Sequence, residues 1–173
     1  MTGTEPRVRG DDMIAAFKRA KIEFVVALPD ITTSAGVMFP IAADPSLRLV
    51  RVCKEDEAIA IAMGLATCDR RAIILIQQTG FLDSINAIRV LAVEYQQPIV
   101  MVVGLQGKEP GVKPRESKKF AVSIVEPMLD VMGIAHHLLE TEADHTLIAP
   151  AIETAYRNST PVCLMVGQPP VAS

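Results

Sequence analysis

No run in this 173-residue sequence is long enough to cross a membrane: the longest apolar stretches, residues 58–68 and 98–105, fall well short of the roughly 18 residues a spanning helix needs. The charged stretch at residues 1–10 has no apolar segment behind it, so it predicts no secretory leader and a cytoplasmic protein. Cysteine is scarce. Cys53, Cys68 and Cys163 are odd in number, far apart and set among apolar or helical residues, which predicts reduced, mostly buried thiols and argues against a disulfide framework or a zinc site. There is no basic excess either: a net charge of −3 and a pI near 5.6 exclude a general nucleic-acid or anionic-membrane footprint. A Gly-x-Ser-x-Gly elbow, a phosphate-binding loop and a dinucleotide fingerprint are all missing. His136, His137 and His145 lack the Glu-x-x-His and His-x-x-x-His spacings of a metal-binding helix, which leaves them structural or surface roles.

Half of the residues are apolar and the mean hydropathy is +0.31, rich for a soluble chain, which predicts that another subunit covers part of the surface. The length suits one domain, residues 1–173, with a full core. Residues 23–28, 47–52, 72–77, 98–104 and 161–167 are β-rich and nearly all apolar, the pattern of strands buried on both faces. Helical stretches lie between them. Met13, Phe17 and Ala20 face the core from a first helix at about 11–20; Ile59, Ala62, Met63 and Ala66 form one apolar stripe, and Val125, Met128, Leu129 and Met132 another. Pro127 and Pro150 fall inside helical patterns, as helix starts or kinks. The alternation predicts an α/β fold, a three-layer doubly wound parallel sheet with right-handed crossovers. Residues 104–121 form a long loop. Between Lys108 and Lys119 it holds five bases (Lys108, Lys113, Arg115, Lys118, Lys119) against Glu109 and Glu116.

Ligands of such a sheet sit at the carboxyl ends of its strands. Four segments arrive there: residues 28–32, 53–57, 77–84 and the basic loop. Glu55, Asp56 and Glu57 open a helix, where the macrodipole stabilises each carboxylate by about 0.3–1 kcal/mol without any catalytic role. Glu55, at the strand-to-helix junction, is the one best placed to face a ligand. Gln78, Thr79 and Gly80 line the same edge, or form an ordinary turn with a helix cap at Asp83 or Ser84. Pro29 and Asp30 read equally as a ligand-side turn or a helix cap.

The spacing Glu55, Ala58, Ala62, Gly64, Ala66 resembles the opening of the second helix of the pyrimidine-binding (PYR) domain of thiamine-diphosphate enzymes. Residues 24–30 resemble that domain's first strand and turn, residues 77–88 its Gln-Asn-Ser-Gly-Leu-Gly-Asn-Ser-Ile-Asn segment, and residues 98–111 its fourth strand and loop. The likeness runs in order over about residues 10–135. It is nearest to the 2-oxoacid decarboxylases of sulfopyruvate, and next to those of phosphonopyruvate. By this resemblance Glu55 is the catalytic carboxyl that hydrogen-bonds the cofactor's aminopyrimidine, since a carboxyl shielded from water can share a proton with a ring nitrogen. Gln78, Thr79, Gly80 and Asn86 would also meet the cofactor, while Pro29, Asp30 and Arg115 would meet the anionic substrate. Leu82 replaces a family glycine and predicts a bulkier wall.

The family's Gly-Asp-Gly sequence with a downstream Asn, which holds Mg2+ and the diphosphate, is missing; the stretch Arg9, Gly10, Asp11, Asp12 is no substitute. The resemblance therefore implies half an active site, completed by a β subunit that carries the diphosphate- and Mg2+-binding domain. It leaves two rivals: another anionic 2-oxoacid as substrate, and a non-catalytic α/β regulatory module.

Overall fold

The structure, a computed structural model, describes residues 7–172. In chain order, α1 (Gly10–Arg19) leads to β1 (Phe24–Ala27), then a π-helical turn at Ser34–Met38 runs into α2 (Phe39–Ala42) and β2 (Arg48–Arg51). Next come α3 (Glu55–Thr67), β3 (Ala72–Gln77), α4 (Gln78–Asp83) and α5 (Ile85–Ala87), the last continuing as a π-helix over Ile88–Glu94 into β4 (Val100–Gly104). A loop with one 3-10 turn precedes α6 (Phe120–Ser123), α7 (Val125–Val131), β5 (Ala135–Leu139), α8 (His145–Asn158) and β6 (Val162–Val166).

The six strands form one parallel sheet in the order β2-β1-β3-β4-β6-β5. The chain reverses its winding between β1 and β3, the switch point at which such sheets hold ligands. Successive residues of a strand serve opposite faces: Val100 and Val102 of β4 enter one core with α1 and α8, while Met101 and Val103 enter the other with α3 and α7. This double burial is why β1, β3, β4 and β6 read as unbroken apolar runs. α1 begins with Asp11 and Asp12 and ends with Lys18 and Arg19, charges that complement the helix dipole, and it buries Met13, Phe17 and the adjoining Ala20 completely.

Several expectations are corrected. β5 was not foreseen: it is one of two edge strands, mostly half-exposed, and two histidines break its apolar pattern; β2, expected to be buried on both faces, is the other edge, with Arg48 and Arg51 exposed. The thiols are not mostly buried. Cys163 is, in mid-β6, where burial pushes its thiol up, but Cys53 and Cys68 are exposed because they lie at the ends of elements, after β2 and after α3. Pro127 stands in the first turn of α7, where a missing N–H is harmless, whereas α8 carries straight through Pro150. No helix of the described residues is long and apolar enough to cross a membrane.

Candidate functional site at the carboxyl edge of the sheet

β2 ends at Arg51, and the chain turns through Cys53 and an extended Lys54 (φ −138°, ψ 150°) into α3. The three acids of its first turn then separate. Glu57 folds back so that one carboxylate oxygen accepts from the backbone N–H groups of Cys53 (2.9 Å) and Lys54 (3.2 Å), capping the helix. Asp56 lies 3.7 Å from the Lys54 ammonium, and its Oδ1 is buried without a hydrogen-bond partner among the described residues. Glu55 is half-buried and makes neither a hydrogen bond nor an ion pair with any described residue.

What holds Glu55 is contact. β3 ends at Gln77 and α4 starts at once, bringing Gly80 under the Glu55 side chain. A Cβ on Gly80 would lie 2.2 Å from Glu55 Cγ and 2.3 Å from its Oε1, so only glycine lets the carboxyl rest there. The close approach expected of this glycine is thus used by a side chain of the same chain.

The other expected site residues divide. Gln78 is buried, and its amide is fully engaged with the backbone of the loop after β4: Oε1 accepts from Gln106 N–H (2.8 Å), and Nε2 donates to the Gln106 carbonyl (3.1 Å). Thr79 is exposed, and its hydroxyl accepts from Gln77 Nε2 at 3.1 Å. Asn86 is exposed and accepts from Arg89 at 3.0 Å. Leu82 does not stand free as a wall: it packs, partly buried, on the core beneath α3. α4 starts earlier than expected, with Gln77 as N-cap, while Ser84 stands as expected at the N-cap of α5, though its Oγ is buried without a hydrogen-bond partner among the described residues.

At the end of β1, Pro29 is exposed and Asp30 is a cap. Its Oδ1 accepts from Thr32 and Thr33 N–H at 2.6 Å each, its Oδ2 accepts from the Thr33 hydroxyl, and its own N–H donates to Ser34 Oγ at 2.8 Å. Arg115 is shared between Glu126 (3.0 Å) and Asp130 (2.9 Å) on α7, and the first of these contacts leads in raising its guanidinium above its usual range. Asp130 also meets His136 Nε2 at 3.0 Å, and that bond, with Arg115, holds its carboxyl below the usual range. The basic loop is also less positive than it reads: Lys108, one of its five bases, is buried and paired with Glu140. The partners of Gln78 and Lys108 stand 28 and 32 residues away along the chain, so no local spacing announces them.

Two grooves of about 320 Å3 lie elsewhere, one beside β5 and α8, the other near Arg71 and Tyr156, and neither includes Glu55. No cluster of three or more metal-ligating side chains occurs among the described residues.

The all-parallel α/β fold is that of a known class: it matches part of the crystal structure of benzoylformate decarboxylase from Polynucleobacter necessarius, with a TM-score of 0.68 over 96% of this chain and 32% of that one, at 17% identity. In sequence the chain is similar to proteins named sulfopyruvate decarboxylase subunit alpha, as its motifs led us to expect. The relative from Methanothermobacter thermautotrophicus is 33% identical over 95 residues, 55% of this chain and 57% of that protein. Those from Methanocaldococcus jannaschii (27% over 151 residues) and Methanococcus maripaludis (24% over 147) align with 87% and 84% of this chain and 88% and 86% of theirs. No family profile matches the chain.

Proposed function

We propose that the chain is the cytoplasmic, single-domain PYR subunit of a thiamine-diphosphate-dependent 2-oxoacid decarboxylase, acting on 3-sulfopyruvate to give sulfoacetaldehyde and CO2. The observation that carries this reading is Glu55: a half-buried carboxyl at the carboxyl edge of the sheet, seated on a glycine and without a polar partner among the described residues. Its neighbours at this edge all have partners: half-buried Asp30 and exposed Glu57 accept hydrogen bonds, and half-buried Asp56 pairs with Lys54. An unpartnered carboxyl suits a ring nitrogen supplied from outside. The relatives named above support the substrate class.

Thiamine diphosphate, when bound, supplies the electron sink for loss of CO2. Glu55 holds a proton at its carboxyl oxygen against the aminopyrimidine, Gly80 leaves room for that carboxyl, and Gln78, Thr79 and Asn86 shape the wall beside it. Pro29 and Asp30 shape the turn opposite, and the basic loop, with Arg115 held on Glu126 and Asp130 and with Lys113, Lys118 and Lys119 exposed, gives the positive field that an anionic 2-oxoacid requires. Mg2+ and the diphosphate are bound by a β subunit with a Gly-Asp-Gly sequence and a downstream Asn. α3 supports such a partner. Beyond its acidic first turn it is apolar all round, yet Ala60 and Gly64 are exposed, and a Cβ on Gly64 would meet nothing within 4 Å.

The test is reconstitution. The isolated chain should bind thiamine diphosphate weakly and release no CO2, whereas co-expression with the β subunit should give turnover, faster with sulfopyruvate than with phosphonopyruvate. Full activity from the isolated chain would refute the shared site, and preference for phosphonopyruvate would move the substrate.

A further inference from the structure

The loop at residues 105–119 is the most charged segment at the carboxyl edge, and its firmest anchor is a lysine that never meets solvent. The Lys108 side chain is 0% exposed. Its ammonium donates to the Glu109 carbonyl at 3.1 Å and is paired with a carboxylate oxygen of Glu140, just past the end of β5. Glu140 is itself fixed: its N–H donates to Asp144 at 2.8 Å, and a Cβ on Gly167 would lie 2.6 Å from its Cγ, so the carboxyl has been given glycine-sized room after β6. The Lys108 carbonyl accepts from Gln168 Nε2 at 2.9 Å. On its other side the loop is tied by the two Gln78–Gln106 bonds to the turn that carries Gly80, on which Glu55 rests. Further along, the Glu109 carboxylate accepts from Ser117 Oγ (2.6 Å) and Lys118 N–H (3.2 Å), and Ser117 Oγ accepts from Lys119 N–H (3.1 Å).

We propose that Lys108 is a positioning residue: its buried pair with Glu140, together with the Gln78–Gln106 clamp, fixes the 105–119 loop so that exposed Lys113, Lys118 and Lys119 stand over the Glu55–Gly80 edge as the anion-binding side of the site. The functional part of this inference rests on the decarboxylase reading. Lys108 cannot itself meet a substrate, because no part of its side chain reaches solvent. Nor is stability a sufficient reason for it, since buried ion pairs can often be exchanged for apolar residues without loss, while removing one partner strands a charge. What a directional pair supplies and an apolar contact does not is a fixed register. Arg115, turned onto α7, leaves Lys113, Lys118 and Lys119 as the loop's remaining exposed bases, and Lys118 and Lys119 are the two whose backbone the Glu109–Ser117 bonds hold.

The experiment is the double variant Lys108→Met/Glu140→Leu, which removes both charges together. In the folded full chain, the Ser117, Lys118 and Lys119 amides should exchange with solvent about tenfold faster than in the wild type. In the assembled enzyme KM for sulfopyruvate should rise about tenfold with kcat within about twofold, the signature of lost ground-state positioning. If either the exchange rates or KM stay at wild-type values in a folded variant, the proposal is overturned. Should the double variant not fold, Glu140→Gln, which keeps an acceptor for the ammonium, is judged in the same way, with changes of about threefold expected. A wild-type assembly inert toward every anionic 2-oxoacid defeats the functional reading instead, and exchange alone then decides the anchoring.

Discussion

Glu55, Asp56 and Glu57 share a charge and a helix turn, yet only Glu57 gives its carboxylate to the helix start. Glu55 is set apart by a glycine 25 positions later in the sequence, which makes Gly80→Ala the most informative small change. A Cβ there would fall 2.2 Å from Glu55 Cγ, and the glutamate must swing away. Alanine is better than glycine within a helix by about 1 kcal/mol, which offsets much of the strain, so stability should change by less than about 1 kcal/mol. Activity of the assembled enzyme should nevertheless fall at least about tenfold, because the proton is held in the wrong place. Paired denaturation and turnover measurements check this, and an active Gly80→Ala enzyme would contradict it. At this scale the sequence was legible where spacing is local: Glu55 and Gly80 stood out through their motifs. Gln78 stood out only as an expected pocket residue. Its engagement with the Gln106 backbone and the burial of Lys108 depend on partners from other elements, which no pattern of neighbours encodes.

Among elements, the strands were the most legible, because burial on both faces leaves unbroken apolar runs at β1, β3, β4 and β6. β5 escaped because His136 and His137 break its apolar run. The helices were less regular than their stripes suggest. The segment after β3 divides at Ser84 and continues as a π-helix, an irregularity that apolar periodicity does not register. One cross-element clamp sets the start of β3. Tyr156 of α8 accepts from Ala72 N–H (2.8 Å) and donates to the Ala72 carbonyl (3.2 Å), while Arg71 lies over its ring at 4.7 Å and bonds Glu153. Burial pushes the phenol up, so it stays protonated as this double role requires. Tyr156→Phe keeps the ring beneath Arg71 but leaves a buried backbone N–H unpaired, so it should cost about 1–3 kcal/mol. Urea denaturation with an unchanged m-value checks this. A loss under about 0.5 kcal/mol would mean that the hydroxyl is dispensable, since exposed changes commonly fall in that range.

Over the whole molecule, the apolar surplus in the composition reappears as surface. Ile31 is 73% exposed, Phe120 77% and Val131 85%, while Ala60 and Gly64 lie open on an otherwise apolar helix. Such surface is what a subunit presents to a partner, in keeping with the proposal that another polypeptide supplies the diphosphate-binding half of the site. The central claim concerns the carboxyl between those halves, and the most direct measurement is turnover of the reconstituted enzyme carrying Glu55→Gln. That substitution keeps shape and hydrogen bonding but removes the ionisable oxygen. kcat should fall by about 10²–10⁴, the usual worth of a positioned acid or base, with the thermal midpoint within about 2 °C of the wild type. Wild-type turnover from that variant would contradict the proposed role of Glu55.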